Sequence, residues 1–214
     1  MLPFADRRAA GLLLAERVNE AVELDHWPER AMVLALPRGG VAVGKQVAAA
    51  LGLPLDVIVT RKIGYPRQPE LGVGAIAEGL TQPVYDPGLL NRLSLSPPAL
   101  AAVAAEEEAE LARRVRVYRG GHPLPLVAGW CVIVVDDGLA TGVTARAALR
   151  SLRAAQAGHL VLAVPVAPAA AAASLRAEAD QVITVEAPSR FTSVGQCYAS
   201  FGQLTDADVL ALLA

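Results

Sequence analysis

Val132-Ile133-Val134-Val135-Asp136-Asp137-Gly138-Leu139-Ala140-Thr141-Gly142-Val143-Thr144 is the stretch whose reading decides the fold. Four consecutive β-branched residues make a strand that can be buried on both faces, as in a parallel sheet covered on each side. Two adjacent carboxylates stand where that strand ends. A loop of small residues and hydroxyls follows and runs into a helix beginning near Thr144. A helix start carries unpaired N–H groups and a partial positive charge, so such a loop is built to hold a phosphate. Carboxylates that accept from sugar hydroxyls, beside amides and hydroxyls that donate to a phosphate, describe a site for a ribose 5-phosphate.

The competing reading is a plain strand-to-helix turn in which Thr144 caps the helix. Two carboxylates at a buried strand end, with no basic neighbour in sequence, weigh against it, because uncompensated buried charge is costly. Strand, acid pair and Thr-Gly-x-Thr loop together resemble the 5-phosphoribosyl-1-diphosphate (PRPP) motif of type I phosphoribosyltransferases. That resemblance implies an α/β fold: a mainly parallel five-stranded sheet flanked by helices, with a hood and an inserted helical segment. It also implies that the amides of Leu139, Ala140, Thr141, Gly142, Val143 and Thr144, with the two threonine hydroxyls, hold the 5-phosphate. Asp136 and Asp137 would contact ribose hydroxyls, and Mg²⁺ through bound water, as hard oxygen ligands suit that ion.

Composition agrees with one such domain. The chain has 214 residues, 54% of them hydrophobic, and a mean hydropathy of +0.41, enough for a core covered on two faces. Aromatics are only 4%, so the core must be Ala, Leu and Val. A net charge of −2 gives no electrostatic footing for a nucleic-acid partner. Cys131 and Cys197 have no metal-site spacing and read as reduced thiols. The run Leu12-Leu13-Leu14 is too short for a signal peptide, and Pro165 and Pro168 interrupt the longest apolar stretch. The expectation is a cytoplasmic protein without a membrane or nucleic-acid partner.

Along the chain, the pattern predicts a helix over 6–24 capped by Asp6, with Leu12, Ala15, Val18 and Val22 on one face. A strand over 31–36, a helix over 41–51 and a strand over 55–61 follow, an alternation that implies parallel pairing. Residues 64–78 are turn-rich and aperiodic and read as a long mobile loop, with short strands near 75–77 and 83–85. Ser96 caps a long helix over 97–118 with Pro97 in its first turn, in which Glu110 and Arg114 pair at i,i+4. Beyond the acid pair come a helix over 144–157, a strand over 159–164, a helix over 169–177 and a strand over 181–185. An irregular tail then leads to a last helix capped by Asp206. The inserted segment falls at 79–128, and the hood with the C-terminal helix at 186–214.

Other stretches complete the resemblance. Pro37-Arg38-Gly39-Gly40 sits between a strand and a helix, where two glycines let backbone amides approach an anion and Arg38 adds a charged donor; its place matches the family's diphosphate loop. The second strand ends in Arg61-Lys62, where family members carry a basic residue near the diphosphate. That role passes to Lys62, with Arg61 as the alternate, and Arg67 would reach the leaving group as the 64–78 loop closes. In the tail, Phe191 is the candidate for stacking on a base, against plain core packing.

The resemblance implies displacement at the anomeric carbon: diphosphate leaves and a small nitrogenous base attacks, with Asp136, Asp137 and Lys62 as the catalytic set. Hypoxanthine-guanine members carry a further aspartate directly before the Thr-Gly of the loop. Here that position is Ala140, as in adenine-type members, so a purine-like base is favoured while the 6-oxopurine mechanism in its usual form is in doubt. Glu70, Glu78 and Asp137 remain open as the general base. A non-catalytic PRPP-sensing regulator and a fold-only scaffold are the rival readings, and a homodimer is the assembly the resemblance suggests.

Overall fold

The computed structural model describes residues 3–25 and 30–214. Five parallel strands form the central sheet in the order β2-β1-β6-β7-β8: β1 (Ala31–Ala35), β2 (Leu55–Val57), β6 (Cys131–Val135), β7 (His159–Val166) and β8 (Gln181–Glu186). The three inner strands, β1, β6 and β7, have no polar alternation because both faces are covered. Val132 and Val134 pack with Leu34, Leu162 and, from α5 (Val143–Ala154), Ala148, Leu149 and Leu152. Ile133 and Val135 pack on the other face with Val33, Ala163 and residues of α1 (Arg7–Asp25) and α2 (Gly39–Leu51).

Asp6 caps α1 as its residue type predicts, accepting from the amide of Ala9 at 2.8 Å. The buried stripe of α1 runs through Ala10, Leu14, Ala15 and Val18, whereas Leu12 is exposed; the side chain of Val22 lies outside the described residues. Helix α6 (Ala169–Leu175) and a C-terminal α7 (Asp206–Leu213) complete the flanking layers. The cap of α7 is Thr205, not Asp206: Thr205 and Asp208 form a reciprocal capping box. Asp206 is thereby free to accept from Tyr118 and Arg113.

The expected single strand over 55–61 is two strands in different sheets. After Val57 the chain turns, because the amide of Val59 is taken by the buried Glu78 carboxylate at 2.7 Å instead of by a strand partner. Thr60 then opens a second, antiparallel sheet of β3 (Thr60–Tyr65), β4 (Gln68–Ala77) and β5 (Val84–Tyr85). The expected loop over 64–78 is therefore a hairpin with a tight turn at Pro66 and Arg67. Its glycines are packing glycines: a Cβ on Gly64 would meet the Pro69 carbonyl at 2.4 Å, and one on Gly74 the Tyr85 ring at 2.6 Å. Register shifts beside Gly64 bring Val73 and Ile76 into one apolar cluster with Ile63 and Leu100.

A short helix α3 (Pro87–Leu93), capped by Asp86, has no counterpart in the pattern read from sequence. The long helix begins as a 3₁₀ turn at Pro97–Leu100 and continues as α4 (Ala101–Arg119). Ser96 precedes it in extended conformation, but its side chain makes no capping bond. The i,i+4 pair is present, with Arg114 donating to Glu110 at 2.8 Å. Among the described residues no helix is long and apolar enough to cross a membrane.

Candidate active site

Register builds the site. Ala35 of β1 lies opposite Val135 of β6, so the Pro37–Gly40 turn and the Asp136-Asp137 pair leave the sheet side by side at its carboxyl edge, where open α/β sheets bind ligands. The contact is intimate. A Cβ on Gly39 would sit 1.8 Å from Oδ2 of Asp137, and one on Gly40 would sit 2.7 Å from the Val135 carbonyl and 2.9 Å from Cα of Asp136. Only glycine lets the first turn of α2 lie this close to the acids. The Pro37–Arg38 peptide is cis. Arg38 precedes α2, and its guanidinium points to Asp206 at 3.7 Å.

The two carboxyls differ in their partners. Asp136 turns back to accept the amide of Asp137 at 2.8 Å. Burial and the adjacent Asp137 charge push its pKa well above the usual carboxylate range. Burial also raises Asp137, but Arg7 opposes that rise through a bond from Nε at 2.8 Å.

The loop after the acids is pinned at one point and open at another. Leu139 is buried and its amide bonds to the Val166 carbonyl at 2.9 Å. Ala140 and Thr141 are exposed. Gly142 has φ +74° and is the N-cap of α5, which starts at Val143 with no side-chain cap. Thr144 lies within the helix, so the capping alternative for it fails. Among the described residues neither threonine hydroxyl is engaged in an internal bond. Free amides at a helix start and free hydroxyls beside them suit an anion.

The hairpin sorts its cations by face. Lys62 lies opposite Ala75, which packs with Val143 and Ala147 of α5. A Cβ on Gly72 would meet the Lys62 stem at 2.8 Å and Val143 at 3.4 Å, so Lys62 lies on the side of the loop that leads into α5. Its ammonium donates to the Glu70 carbonyl at 3.0 Å. Arg61 lies on the opposite face, bound to Glu107 of α4 at 2.6 Å. Arg67 is exposed at the hairpin tip.

The hood is a joint product of both chain ends. Phe4 bridges Tyr198, with backbone bonds to Cys197 and Ala199 at 2.8 and 2.7 Å. Phe191 is half-buried there among Phe4, Val166, Cys197 and Tyr198. Val194 comes down onto the acid loop, where a Cβ on Gly138 would meet it at 2.7 Å. Tyr198 donates to the carbonyl of Asp137 at 2.6 Å.

Arg7 and Tyr198 both bond to Asp137, and motif reading missed both. One signal for Arg7 was present: a cation in the first turn of a helix opposes the helix dipole and so needs another reason to be there. The general-base candidates Glu70, on β4, and Glu78, in the turn just after it, are both placed away from the acid pair. Glu70 is exposed beside Lys62, and buried Glu78 is held by Arg119, the Val59 amide and Ser151. A cleft of about 910 Å³ between α4 and the 121–128 segment contains Glu78 but none of the site residues named above.

The donor set fits Mg²⁺. Among the described residues no three His, Cys, Asp or Glu gather as a protein-only metal cage. Two carboxylates beside a glycine cradle are what Mg²⁺ uses when the substrate's phosphates and water complete its shell.

A family model described as a phosphoribosyl transferase domain matches residues 8–200. Two Mycobacterium tuberculosis proteins provisionally named as phosphoribosyl transferases, Rv0571c of strain H37Rv and MT0597 of strain CDC 1551, are 40% identical over 210 residues. That match covers 98% of this chain and 46% of each relative, so the chain spans about half their length. The crystal structure of TT1426 from Thermus thermophilus shares 40% identity and a TM-score of 0.78, over 99% of this chain and 98% of that one. The AQ2163 protein from Aquifex aeolicus has a TM-score of 0.54 at 12% identity, over 88% and 78% of the two chains, a likeness of fold alone.

Proposed function

The chain belongs to the phosphoribosyl transferase family, and from that premise we propose that it transfers the 5-phosphoribosyl group of PRPP to a purine-like base. The observation that carries this reading is the meeting of glycine turn and acid pair, with the open start of α5 next to it. Three anion- and hydroxyl-binding elements at one sheet edge match a substrate with a phosphate, a ribose and a diphosphate.

In the proposed reaction the bond from C1 to the diphosphate oxygen breaks, a bond from C1 to the base nitrogen forms, and that nitrogen releases its proton to solvent. Loop amides from Ala140 to Thr144 and the Thr141 and Thr144 hydroxyls hold the 5-phosphate, while Leu139, whose amide is taken by the Val166 carbonyl, anchors the loop from beneath. Asp136 and Asp137 accept from the ribose hydroxyls and would hold Mg²⁺ through water; the ion, when bound, neutralises charge on the departing diphosphate. The Gly39 amide with Arg38 receives the diphosphate, Gly40 contributing only its missing side chain because its own amide bonds to the Leu36 carbonyl, and Lys62 with Arg67 adds positive charge from the hairpin. Most of the acceleration then comes from placement and fixed charge. Phe191 contributes to the base side.

Calorimetric titration with PRPP and Mg²⁺, followed by a panel of bases with diphosphate release measured, tests the proposal. Micromolar binding with turnover on one base is the expected result. Binding without turnover on any base would turn the reading to a PRPP-sensing regulator, and absence of binding would end it.

A further inference from the structure

Arg7 stands outside every motif of the chain, yet each of its contacts lies at the acid pair or on the hood. Nε donates to Oδ2 of Asp137 at 2.8 Å, and NH1 donates to the Gly202 carbonyl at 2.8 Å. Its guanidinium carbon lies 3.8 Å from the centre of the Phe201 ring, which stacks on Tyr198 at 4.8 Å. The side chain is 12% exposed. A Cβ on Gly39 would come within 3.0 Å of Nε, so the guanidinium fills the gap between the acid and the first turn of α2. Burial against a ring makes such a cation hard to displace.

We infer that Arg7 is a positioning residue that serves as the internal counter-cation of Asp137, clamped in place by the hood. The inference rests on reading the acid pair as the ribose and metal contact. With Oδ2 committed to a fixed guanidinium, a divalent cation is held off that oxygen by charge repulsion. Asp136 and the second oxygen of Asp137 are the acceptors that would remain to hold the ion through water. Because the same guanidinium grips Gly202 and Phe201, loosening the hood loosens the counter-charge, and the acid pair becomes more receptive to metal. Placement of the hood and the charge at Asp137 are thus one variable.

The test uses Mn²⁺ alone, followed through its free-ion paramagnetic resonance signal, so that it needs neither PRPP nor turnover. Arg7→Gln should bind Mn²⁺ about tenfold tighter than the wild type, the scale of one charge-assisted bond. Adding Asp137→Asn should erase that gain, and Arg7→Lys, which keeps the charge but loses the ring stack and the two-pronged grip, should give a smaller gain than Arg7→Gln. Phe201→Leu, which leaves both charged residues in place, should give a smaller gain. A merely structural Arg7 would lower the thermal midpoint of Arg7→Gln without any gain in Mn²⁺ affinity. Unchanged affinity in Arg7→Gln, or a gain that survives Asp137→Asn, overturns the inference. Should Arg7→Gln not fold, an unchanged Phe201→Leu overturns it instead. Failure of the wild type to bind PRPP would sink the proposed transferase and leave the Mn²⁺ result to decide Arg7.

Discussion

Gly39 and Asp137 stand so close that a single methyl group on the glycine would overlap Oδ2 of the aspartate, 1.8 Å away. Two segments almost a hundred positions apart in sequence thereby form one surface. Gly39→Ala must push the acid or the first turn of α2 aside. Overpacking of this kind costs about 1–3 kcal/mol, a fall of roughly 2–10 °C in thermal midpoint for a chain this long. The larger effect should be on ligand: PRPP affinity is expected to drop by about tenfold or more. Calorimetry on the folded variant reads this, and affinity within twofold of the wild type would contradict the arrangement.

Asp136→Asn with Asp137→Asn should abolish PRPP binding and leave unfolding cooperative. Both carboxyls titrate above their ordinary range when folded. A raised folded-state pKa stabilises the protein below the unfolded pKa and is lost as pH rises, so these charges oppose folding at pH 7. The double variant is therefore expected to hold or raise its thermal midpoint at pH 7. A large fall would mean that the pair is structural.

Opposite faces of the hairpin give Lys62 and Arg61 different fates. Lys62→Ala should lower kcat by about a hundredfold, the usual scale for a charge that acts on a leaving group. Arg61→Ala removes a bond to Glu107 and should leave kcat within about twofold while lowering the midpoint by a few degrees. Equal losses of kcat in both would refute the division by face.

That division also marks how far the sequence could be read. The β6 strand, the acids at its end and the loop into α5 were legible as structure because they are contiguous and each has its own local physics. The hairpin was not, because Gly64, Gly72, Gly74, Pro66 and Pro69 look like loop formers. In the fold those three glycines are places where Pro69, Lys62 and Tyr85 press against the backbone. The break between β2 and β3 was hidden in an unbroken β-branched run, since a distant carboxylate, Glu78, makes it. Arg7 reaches Asp137 across 130 positions, and no local pattern encodes such a pair. Asp206 was legible as a helix start, but Thr205 beside it made the better cap.

Phe191→Ala should weaken binding of the base and spare PRPP, if the ring faces the acceptor. Its half-buried place among Phe4, Cys197 and Tyr198 predicts a stability loss as well, about 1–2 kcal/mol for a partly exposed ring. Titrating base and PRPP separately distinguishes the two roles. Equal weakening of both ligands would make Phe191 a packing residue of the hood.

Acid should act through α4 and α7. The bond from Arg113 holds Glu110 down at about 2 against an ordinary 4.5, with Arg114 adding to the effect. Asp206 is likewise lowered, first by the Tyr118 hydroxyl and then by Arg113. A carboxylate with a depressed folded-state pKa gives its full stabilisation above the unfolded value and loses it as pH falls toward the folded one. The wild-type thermal midpoint should therefore fall from about pH 5 down to pH 2, within the range where paired carboxylates protonate. Glu110→Gln should start lower at pH 7, by about 1 kcal/mol, and lose less over the same range, so that the two curves converge near pH 2. Since Asp206 also receives Arg38 at 3.7 Å, the acid transition should loosen the arginine assigned to the diphosphate. Parallel curves for wild type and Glu110→Gln across that window would show that the network contributes no stability through its charges.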